Sequence, residues 1–523
     1  MGQGNRIKKS AFDLTIGLFL THQMSSVSPM MPKHLLRQGI CRMFLWLLPL
    51  VSCVHAADDD RRLLMVHQWG EQLKTAGQTR EFVAVVKQRQ IDGVGLAVPW
   101  NLIEKSPGKY DFSWLDERLD LFVEAGLYFH LRVDCSRFYQ PAWLDGHMMQ
   151  TDDGQTLVVD GNMGPYKCLS FADPEVVREV AEVTAAVAKH VWERYSKSDR
   201  HPLMHIYPMF TANAETEYPF EGATDYSPAA QAAFRLWLAE AFGDLSRLNA
   251  KWGTKFTGWN QITLQQAPAW DLQRFRTESL GRLIDAYASS VRKACPAPVG
   301  AQFGSVWDGL SLRRGTLDVT RLGRSLDWIA FDDALDYDFA FSNDYIRGLL
   351  PGKLIAGETG GPWTLETTDA RMVEYAATSY DHGMKAIYIA NLEPDSLADP
   401  RWTFWPKVRS ESAKPPARPE ARKAIVVSLA TLYNMPRNAS AKDLVYDLYL
   451  NLSDGHRIPV DFINDTLIAS HPGRLSRYSE GLFVPDSMPA MTDNLLQALA
   501  ASPVPVTMDR SKAGTLDEYG RPR

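Results

Sequence analysis

Several features are scarce in this 523-residue sequence, and each shortage argues against a class of protein. The formal net charge is −6, which leaves no cationic surplus to neutralise the phosphates of a nucleic acid. Cysteine occurs five times, and no Cys/His cluster has the spacing of a metal site. No Gly-rich phosphate turn follows the first predicted strand, which disfavours a dinucleotide-binding sheet. We therefore expect no nucleic-acid partner, no metal and no organic cofactor.

The N-terminal apolar run, Met43–Ala56, is too short to span a bilayer as a mature helix. Basic residues precede it and small residues end it, which is typical of a signal peptide. We predict that residues 1–56 form an export segment, and cleavage after Ala56 gives a periplasmic or secreted protein. Residues 50–53 also resemble a bacterial lipobox, so a membrane-anchored lipoprotein with lipid on Cys53 stays open.

Aromatic residues make up 11 % of the chain, and 15 of them are tryptophans. One interpretation is a large hydrophobic core. The other is a set of flat rings that stack on an organic ligand such as a sugar. Composition alone favours the first interpretation, because 45 % hydrophobic and 23 % charged residues are ordinary for a globular protein.

Short apolar runs alternate with helical patterns along most of the chain, which predicts a (β/α)8 TIM barrel over residues 57–437. Helices are predicted at, among other places, 228–249 and 421–433. Strand and helix patterns over residues 438–523 predict a small C-terminal α/β domain, which is short enough to be incomplete. The eight predicted barrel strands are 63–66, 93–99, 127–133, 204–210, 300–303, 327–331, 353–356 and 385–390.

Carboxylates follow two of these strands at the end where a barrel carries its catalytic residues. Glu215 and Glu217 lie two positions apart after the fourth strand, and Glu358 follows the seventh. One carboxyl from each strand is the arrangement that flanks a glycosidic bond, where one protonates the leaving oxygen and the other attacks the anomeric carbon. The alternative is that these glutamates are salt-bridge partners in loops.

Longer motifs resemble family 42 glycoside hydrolases, the β-galactosidases of a clan of related barrels. The resemblance runs from about residue 91 to 390. It is carried by Trp100–Asp116 (WNLIEKSPGKYDFSWLD), Pro141–Leu144 (PAWL), Phe234–Leu238 (FRLWL), Leu245–Thr254 (LSRLNAKWGT), Leu354–Trp363 (LIAGETGGPW) and Ala376–Gly383 (AATSYDHG).

This resemblance implies a retaining double displacement with Glu215 as acid/base and Glu358 as nucleophile. The chain departs from the family pattern at Ala214, where related enzymes carry an Asn that holds the sugar 2-hydroxyl. Asn213 is one position away. The last strand lacks the family's Trp, and the family's zinc cysteines are absent. The resemblance therefore implies the family's barrel and carboxylate pair in this chain, but it does not imply specificity for galactose.

Several further residues near strand ends are candidates for the site, with core packing as the alternative for each. Tyr337, Tyr388 or Arg132 could donate to the nucleophile, and Asp332 and Asp333 could bind hydroxyls. The predicted substrate-binding set is Trp100, Asn213, Glu217, Trp307, Trp363 and Tyr388.

The sequence thus predicts an exported retaining glycoside hydrolase that cleaves a β-linked sugar such as a galactoside. A non-catalytic glycan-binding or assembly protein on the same barrel is the alternative, because the Asn before Glu215 is missing. An inverting or amylase-like enzyme is a third interpretation. The expected partner is an oligo- or polysaccharide. The small domain resembles the family's oligomerisation domain, which implies an oligomer such as a trimer.

Overall fold

The computed structural model places all eight predicted apolar runs in one parallel sheet, as strands β1 to β8. Each run is buried on both faces, which is why it reads as continuous rather than alternating apolar sequence. The strand bounds are Leu63–Gln68, Gly93–Pro99, Tyr128–Asp134, Leu203–Met209, Gly300–Phe303, Trp328–Asp332, Leu354–Gly360 and Ala386–Asn391.

The structure describes residues 61–136, 139–161, 164–198, 200–211, 213–219, 225–332, 337–360, 368–391, 397–400, 403–414, 419–436 and 439–523. The predicted export segment with Cys53 lies outside them. Among the described residues, no helix has the length and apolarity that a membrane crossing requires.

The strands follow the order β4-β3-β2-β1-β8-β7-β6-β5, and contacts between β4 and β5 bring the two ends of the sheet together. Ile206 of β4 bridges to Val299 just before β5, and its amide donates to the carbonyl of Pro298 at 3.2 Å. The predicted (β/α)8 barrel is confirmed.

Several helices that accompany the barrel begin at a side-chain cap. Asp173, for example, accepts from the amide of Glu175 at 2.9 Å, with Pro174 at the first helical position. The predicted helix 228–249 is interrupted at Gly243, whose φ of 76° ends the first segment. The helices are Ala76–Gln88, Trp100–Ile103, Ser113–Glu124, Pro174–Arg194, Pro228–Phe242, Leu245–Trp252, Ala269–Ala294, Ser311–Arg314, Val319–Leu322, Phe339–Leu349, Asp369–Asp381 and Trp405–Ser412.

A second, four-stranded parallel sheet follows the barrel. Its strands β9 to β12 are Lys423–Val427, Val460–Asn464, Gly481–Phe483 and Val506–Thr507, in the order β10-β9-β11-β12. Its helices are Leu429–Asn434, Ala441–Leu452, Asp465–Ser470 and Asp493–Ala500.

The predicted helix over residues 421–433 is wrong. Its first half is strand β9, a buried β-branched run that pairs with strands on both sides, and a short helix follows. The second sheet therefore takes its central strand from before residue 438, where we predicted the small domain to begin. Contacts between the helix Phe339–Leu349 and β10 pack this sheet against the barrel.

The upper half of the barrel interior is polar. Inward positions carry His67 on β1, His130 on β3, Gln302 on β5 and Glu358 on β7, and all four are buried. An apolar layer that includes Met65, Met204, Trp328 and Ala356 lies in the same interior. The polar layer positions the candidate site at the carboxyl ends of the strands.

Candidate functional site

Glu215 lies in a tight turn just after β4. Its carbonyl accepts from the amide of Phe210 at 2.8 Å, and its own amide donates to the hydroxyl of Thr211 at 3.1 Å. Ala214, the residue before it, has a φ of 78°, a left-handed conformation that is unfavourable for a residue with a Cβ. Local backbone strain of this kind is common beside functional residues.

The environment of Glu215 favours the protonated acid. Only 2 % of the residue is exposed, and burial followed by the negative charge of Asp332 raises the pKa of its carboxyl to about 8. The Thr211 hydroxyl donates to Oε2 and partly opposes this rise. A carboxyl with this pKa holds its proton at neutral pH and can donate it.

Glu358 is an inward residue of β7, between Asp332 of β6 and Tyr388 of β8 in the strand register. Its carboxyl oxygens face donors on other strands. Nδ1 of His67 lies 2.5 Å from Oε1, and the side-chain amide of Gln302 donates to Oε2. The Tyr207 hydroxyl donates to Gln302 Oε1 at 2.6 Å, which turns the amide nitrogen of Gln302 toward Glu358.

Burial raises the pKa of Glu358 to about 8, and the positive charge of Arg132 opposes that rise. Arg132 itself is fixed by its guanidinium, which donates to the carbonyls of Gln68 and Gly95 at 3.2 and 3.3 Å. Hydrogen-bond donors and the charge of Arg132 favour the ionised form of Glu358, whereas Asp332 has the largest charge effect on Glu215 and the charge of Arg314 partly opposes it. Such a difference suits a nucleophile and a proton donor.

One residue of β5 connects the two glutamates. The carbonyl of Gln302 accepts from the amide of Thr216, directly after Glu215, at 2.6 Å, while its side chain donates to Glu358. The charge of Glu358 also contributes to the raised pKa of Glu215. The two predicted catalytic residues therefore belong to one electrostatically coupled site.

Glu217 has different partners from Glu215. Its Oε1 lies 3.0 Å from Nε of Arg314, and its Oε2 accepts from the amide of Gly304 at 2.8 Å. Arg314 also donates to Asp308 Oδ2 at 3.1 Å. Burial raises the pKa of Glu217 well above its usual value, and the charge of Arg314 opposes this. Glu217 lies beside the site as a buried ion-pair partner, and its predicted contact with substrate stays a prediction.

Removing Arg314 should destabilise the fold strongly. An Arg314→Met variant leaves the buried Glu217 and Asp308 without their shared cation, and breaking a buried pair costs about 3–5 kcal/mol. The free energy of unfolding from urea titration measures the loss. Arg457→Met is the control, because Arg457 and Asp454 form an exposed pair and should change stability by less than about 1 kcal/mol. Equal effects of both substitutions would contradict the buried network.

Two of the predicted stacking tryptophans pack inside the protein. Trp100 is fully buried, and its indole donates to Glu104 Oε2 at 2.7 Å. Trp307 is 4 % exposed, donates to the Ser342 hydroxyl at 3.0 Å and packs edge-on against Tyr337 at 4.6 Å between ring centroids. Neither ring presents an open face in this structure.

The other predicted residues divide between the site and its surroundings. Tyr388 lies below Glu358, where its hydroxyl is 3.0 Å from Nε2 of His205. Asn213 is half-buried in the Glu215 turn, and its amide donates to the Thr211 hydroxyl at 3.3 Å. Tyr337 donates to Asp308 at 3.1 Å. Trp363 and Asp333 lie outside the described residues.

A separate cavity of about 940 Å³ lies between the helix Ala269–Ala294 and the small α/β sheet, and none of the predicted site residues lines it. Within the described parts of the chain, no group of three or more His, Cys, Asp or Glu side chains could hold a metal ion.

The sequence reasoning missed the residues that surround the two glutamates, namely His67, His130, Gln302 and Arg314. A signal was available for the first three. Each is a polar residue at an inward position of an otherwise apolar strand, which is unusual unless the side chain has a buried partner. Arg314, in contrast, lies in a short helix after β5 and carries no such pattern.

Comparisons with known proteins identify a family that matches most of the barrel. The family model described as Beta-galactosidase, glycoside hydrolase family 42, matches residues 67–386. A beta-galactosidase of Geobacillus kaustophilus is 24 % identical over 307 residues, which cover 55 % of this chain and 42 % of that protein. A beta-galactosidase of Halorubrum lacusprofundi is 31 % identical over 281 residues, covering 50 % of this chain and 36 % of that protein.

A solved structure shows the same fold over a longer stretch. The cold-adapted beta-galactosidase of Rahnella sp. R3 superposes with a TM-score of 0.69 at 17 % identity, covering 89 % of this chain and 73 % of that one. The chain aligns with less than half the length of the curated relatives it matches. The family model nevertheless covers more than half of the chain, and the chain belongs to glycoside hydrolase family 42.

Proposed function

We propose that this protein is a retaining glycoside hydrolase that cleaves a β-galactosidic bond. The observation that carries the proposal is the pair of buried carboxyls at the ends of β4 and β7, each with its pKa raised to about 8 and connected through Gln302. Family membership supports the reaction class. The printed names of the relatives support galactose as the sugar.

Each carboxyl has a role that its partners explain. Glu215, protonated because it is buried beside Asp332, gives its proton to the glycosidic oxygen as the bond breaks. Glu358, held by His67 and Gln302, attacks the anomeric carbon and forms a glycosyl–enzyme intermediate. Glu215, now ionised, takes a proton from the water that hydrolyses this intermediate.

Hydrolysis of a nitrophenyl β-galactoside with product analysis tests the proposal. Two inversions at one carbon retain configuration, so NMR of the first product should show the β-anomer before mutarotation. Release of the α-anomer would indicate a single displacement instead. A protein that binds galactosides and hydrolyses none would instead favour the non-catalytic alternative, which the absence of Asn at position 214 suggests.

The pH dependence should follow the same two carboxyls. Activity requires Glu358 ionised and Glu215 protonated, and burial raises both pKa values to about 8. We expect kcat/KM to form a bell that rises from pH 5 toward about 8 and falls above it, with limbs that belong to the coupled pair. A profile that peaks below pH 6 would contradict these environments.

We also propose, from the N-terminal sequence, that the protein is exported and acts on carbohydrate outside the cytoplasm. The signal-like residues 1–56 support this proposal, with lipidation of Cys53 as the alternative to cleavage after Ala56. An oligomeric state, such as a trimer, remains a proposal from the family resemblance.

A further inference from the structure

We propose that His67 and His130 form a two-histidine hydrogen-bond chain that orients Glu358 and favours its ionised form. The two histidines are positioning residues, because they act on the substrate only through Glu358. The inference rests on the proposed function, which assigns Glu358 as the nucleophile.

The chain is continuous and buried. His67 Nδ1 lies 2.5 Å from Glu358 Oε1, and His67 Nε2 lies 2.9 Å from His130 Nε2. The strand between them makes room for both rings, because a Cβ at Gly95 would lie 2.3 Å from His130 Nε2 and 2.4 Å from His67 Cδ2. An inward side chain at position 95 would therefore displace the chain.

His67 acts in this chain as a neutral imidazole. Burial and the positive charge of Arg132 hold the pKa of His67 well below its usual value, and Arg132 Nη1 lies 3.4 Å from His67 Nδ1. A neutral imidazole donates from one nitrogen and accepts at the other. The contact with Glu358 is thus a directional hydrogen bond, and the tautomer of His67 decides which atom donates.

The ionised form of Glu358 uses the ring protons of both histidines, and Arg132 Nη1, 3.4 Å from His67 Nδ1, then acts on this nitrogen through its charge. His67 donates from Nδ1 to Glu358 Oε1, so its Nε2 must accept. His130 then donates from Nε2, and its Nδ1 carries no hydrogen. This nitrogen has no hydrogen-bond partner among the described residues, which leaves one buried lone pair unused.

Protonation of Glu358 at Oε1 requires the opposite tautomer in both histidine rings. The new acid donates to His67 Nδ1, so His67 must carry its hydrogen on Nε2 and donate to His130. His130 must then hold its hydrogen on Nδ1, where the described residues offer no acceptor. A buried donor without a partner is costly, so the chain penalises the protonated carboxyl and opposes the effect of burial.

Other groups around Glu358 also influence its ionisation, and they stay in place in every variant below. They come from five neighbouring strands, and Gln302, the neighbour on β5, does not titrate. Apart from the two histidines themselves, the titratable neighbours are Arg132 on β3, Tyr207 on β4 with Glu215 after it, Asp332 on β6 and Tyr388 on β8.

The tautomers can be measured without any substrate. Wild-type protein is labelled with ¹⁵N-histidine, and the ¹⁵N chemical shifts of the rings are measured at a pH above the acid limb of the activity profile. They should show hydrogen on Nδ1 of His67 and on Nε2 of His130. His67→Asn and His130→Phe variants assign the signals. Hydrogen on Nε2 of His67 under these conditions would overturn the chain.

Kinetics of the same residues separate a positioning role from a structural one. His67→Leu should move the acid limb of kcat/KM upward by about one pH unit, because loss of a hydrogen bond to a charged group is worth at least that much. His130→Phe should move the limb in the same direction, because it removes the donor that fixes the tautomer of His67. His67→Asn keeps an amide donor near the Nδ1 position and should recover most of the shift. His205→Phe is the matched control.

The control tests whether replacement of any neighbouring buried histidine also shifts the acid limb. His205 stacks on His130 with ring centroids 4.5 Å apart, and its Nε2 pairs with Tyr388 rather than with the chain. Its replacement should leave the acid limb in place. If the variants are active and the acid limb of kcat/KM moves equally in all of them, or in none, the proposed hydrogen-bond chain is wrong. Expected tautomers in a protein that hydrolyses no glycoside overturn the proposed function alone.

Discussion

A Glu358→Gln variant should lose at least about 10,000-fold in kcat/KM toward nitrophenyl β-galactoside while it stays folded. The amide cannot attack the anomeric carbon, and removal of a nucleophile typically costs this much or more. The substitution changes no side-chain volume, and glutamine can still accept from His67 at Oε1. Initial rates together with circular dichroism measure activity and folding on the same sample.

An external nucleophile should restore activity when the side chain is shortened. In Glu358→Gly, azide can enter the vacated space and displace the aryl group from the face that Glu358 attacks. A single inversion then occurs, so the product should be α-galactosyl azide. β-Galactosyl azide would assign the nucleophile to another residue.

Glu374→Gln is the matched control for this experiment. Glu374 lies on the helix after β7, with its side chain 59 % exposed and paired with Arg371 on the protein surface. It should retain wild-type activity, because it touches none of the site residues. A Glu358→Gln variant with more than about a tenth of wild-type activity would contradict the nucleophile assignment.

The barrel was predictable because its strands are short, apolar and alternate with helical patterns. Residues 93–99 and 300–303, for example, were predicted with the bounds that the structure has. A strand buried on both faces needs only apolar residues between polar boundaries, and sequence displays this directly. Such a pattern locates strand ends, and strand ends locate the catalytic face of a barrel.

The same pattern failed for residues 421–433. A largely apolar stretch of that length fits a helix as well as a strand followed by a helix, and periodicity alone does not separate them. The β-branched residues of Lys423–Val427 and the pairing with β10 and β11 decide for the strand. Long-range pairing of this kind is not visible in local sequence.

The two glutamates were found by position and family resemblance, but their electrostatic neighbours were not. Glu217 is the carboxylate nearest to Glu215 in the sequence. In the structure Asp332 contributes most among the charged neighbours, and Glu217 pairs with Arg314. Which carboxylate approaches another depends on turn geometry after β4, and a two-residue spacing does not fix that geometry.

The departure at Ala214 also has a structural meaning. Asn adopts a positive φ more readily than Ala, so the Asn of related enzymes suits the conformation seen here. This chain forms the turn with Ala214, a residue that does not itself favour a positive φ. Hydrogen bonds from Phe210 and to Thr211 hold the turn in its place.

A Glu215→Gln variant should lose more activity toward substrates whose leaving group must be protonated as it departs. For lactose, whose leaving group is a sugar hydroxyl, we expect a loss of about 100- to 10,000-fold in kcat/KM, the usual contribution of general acid catalysis. For dinitrophenyl β-galactoside, whose leaving group departs as an anion, kcat/KM should change little. The falling limb above pH 8 should disappear, because it reports loss of the Glu215 proton.

Glu217→Gln distinguishes this role from a merely electrostatic one. Glu215 and Glu217 lie in the same segment, but the carboxyl of Glu217 pairs with Arg314 and accepts a hydrogen bond from the amide of Gly304. Its replacement should lower activity toward lactose and dinitrophenyl galactoside by similar factors, through the disturbed ion pair. In Glu215→Gly, azide should yield β-galactosyl azide, since it attacks the glycosyl–enzyme that Glu358 has already formed. Selective loss for lactose in the Glu217 variant would transfer the acid/base role to that residue.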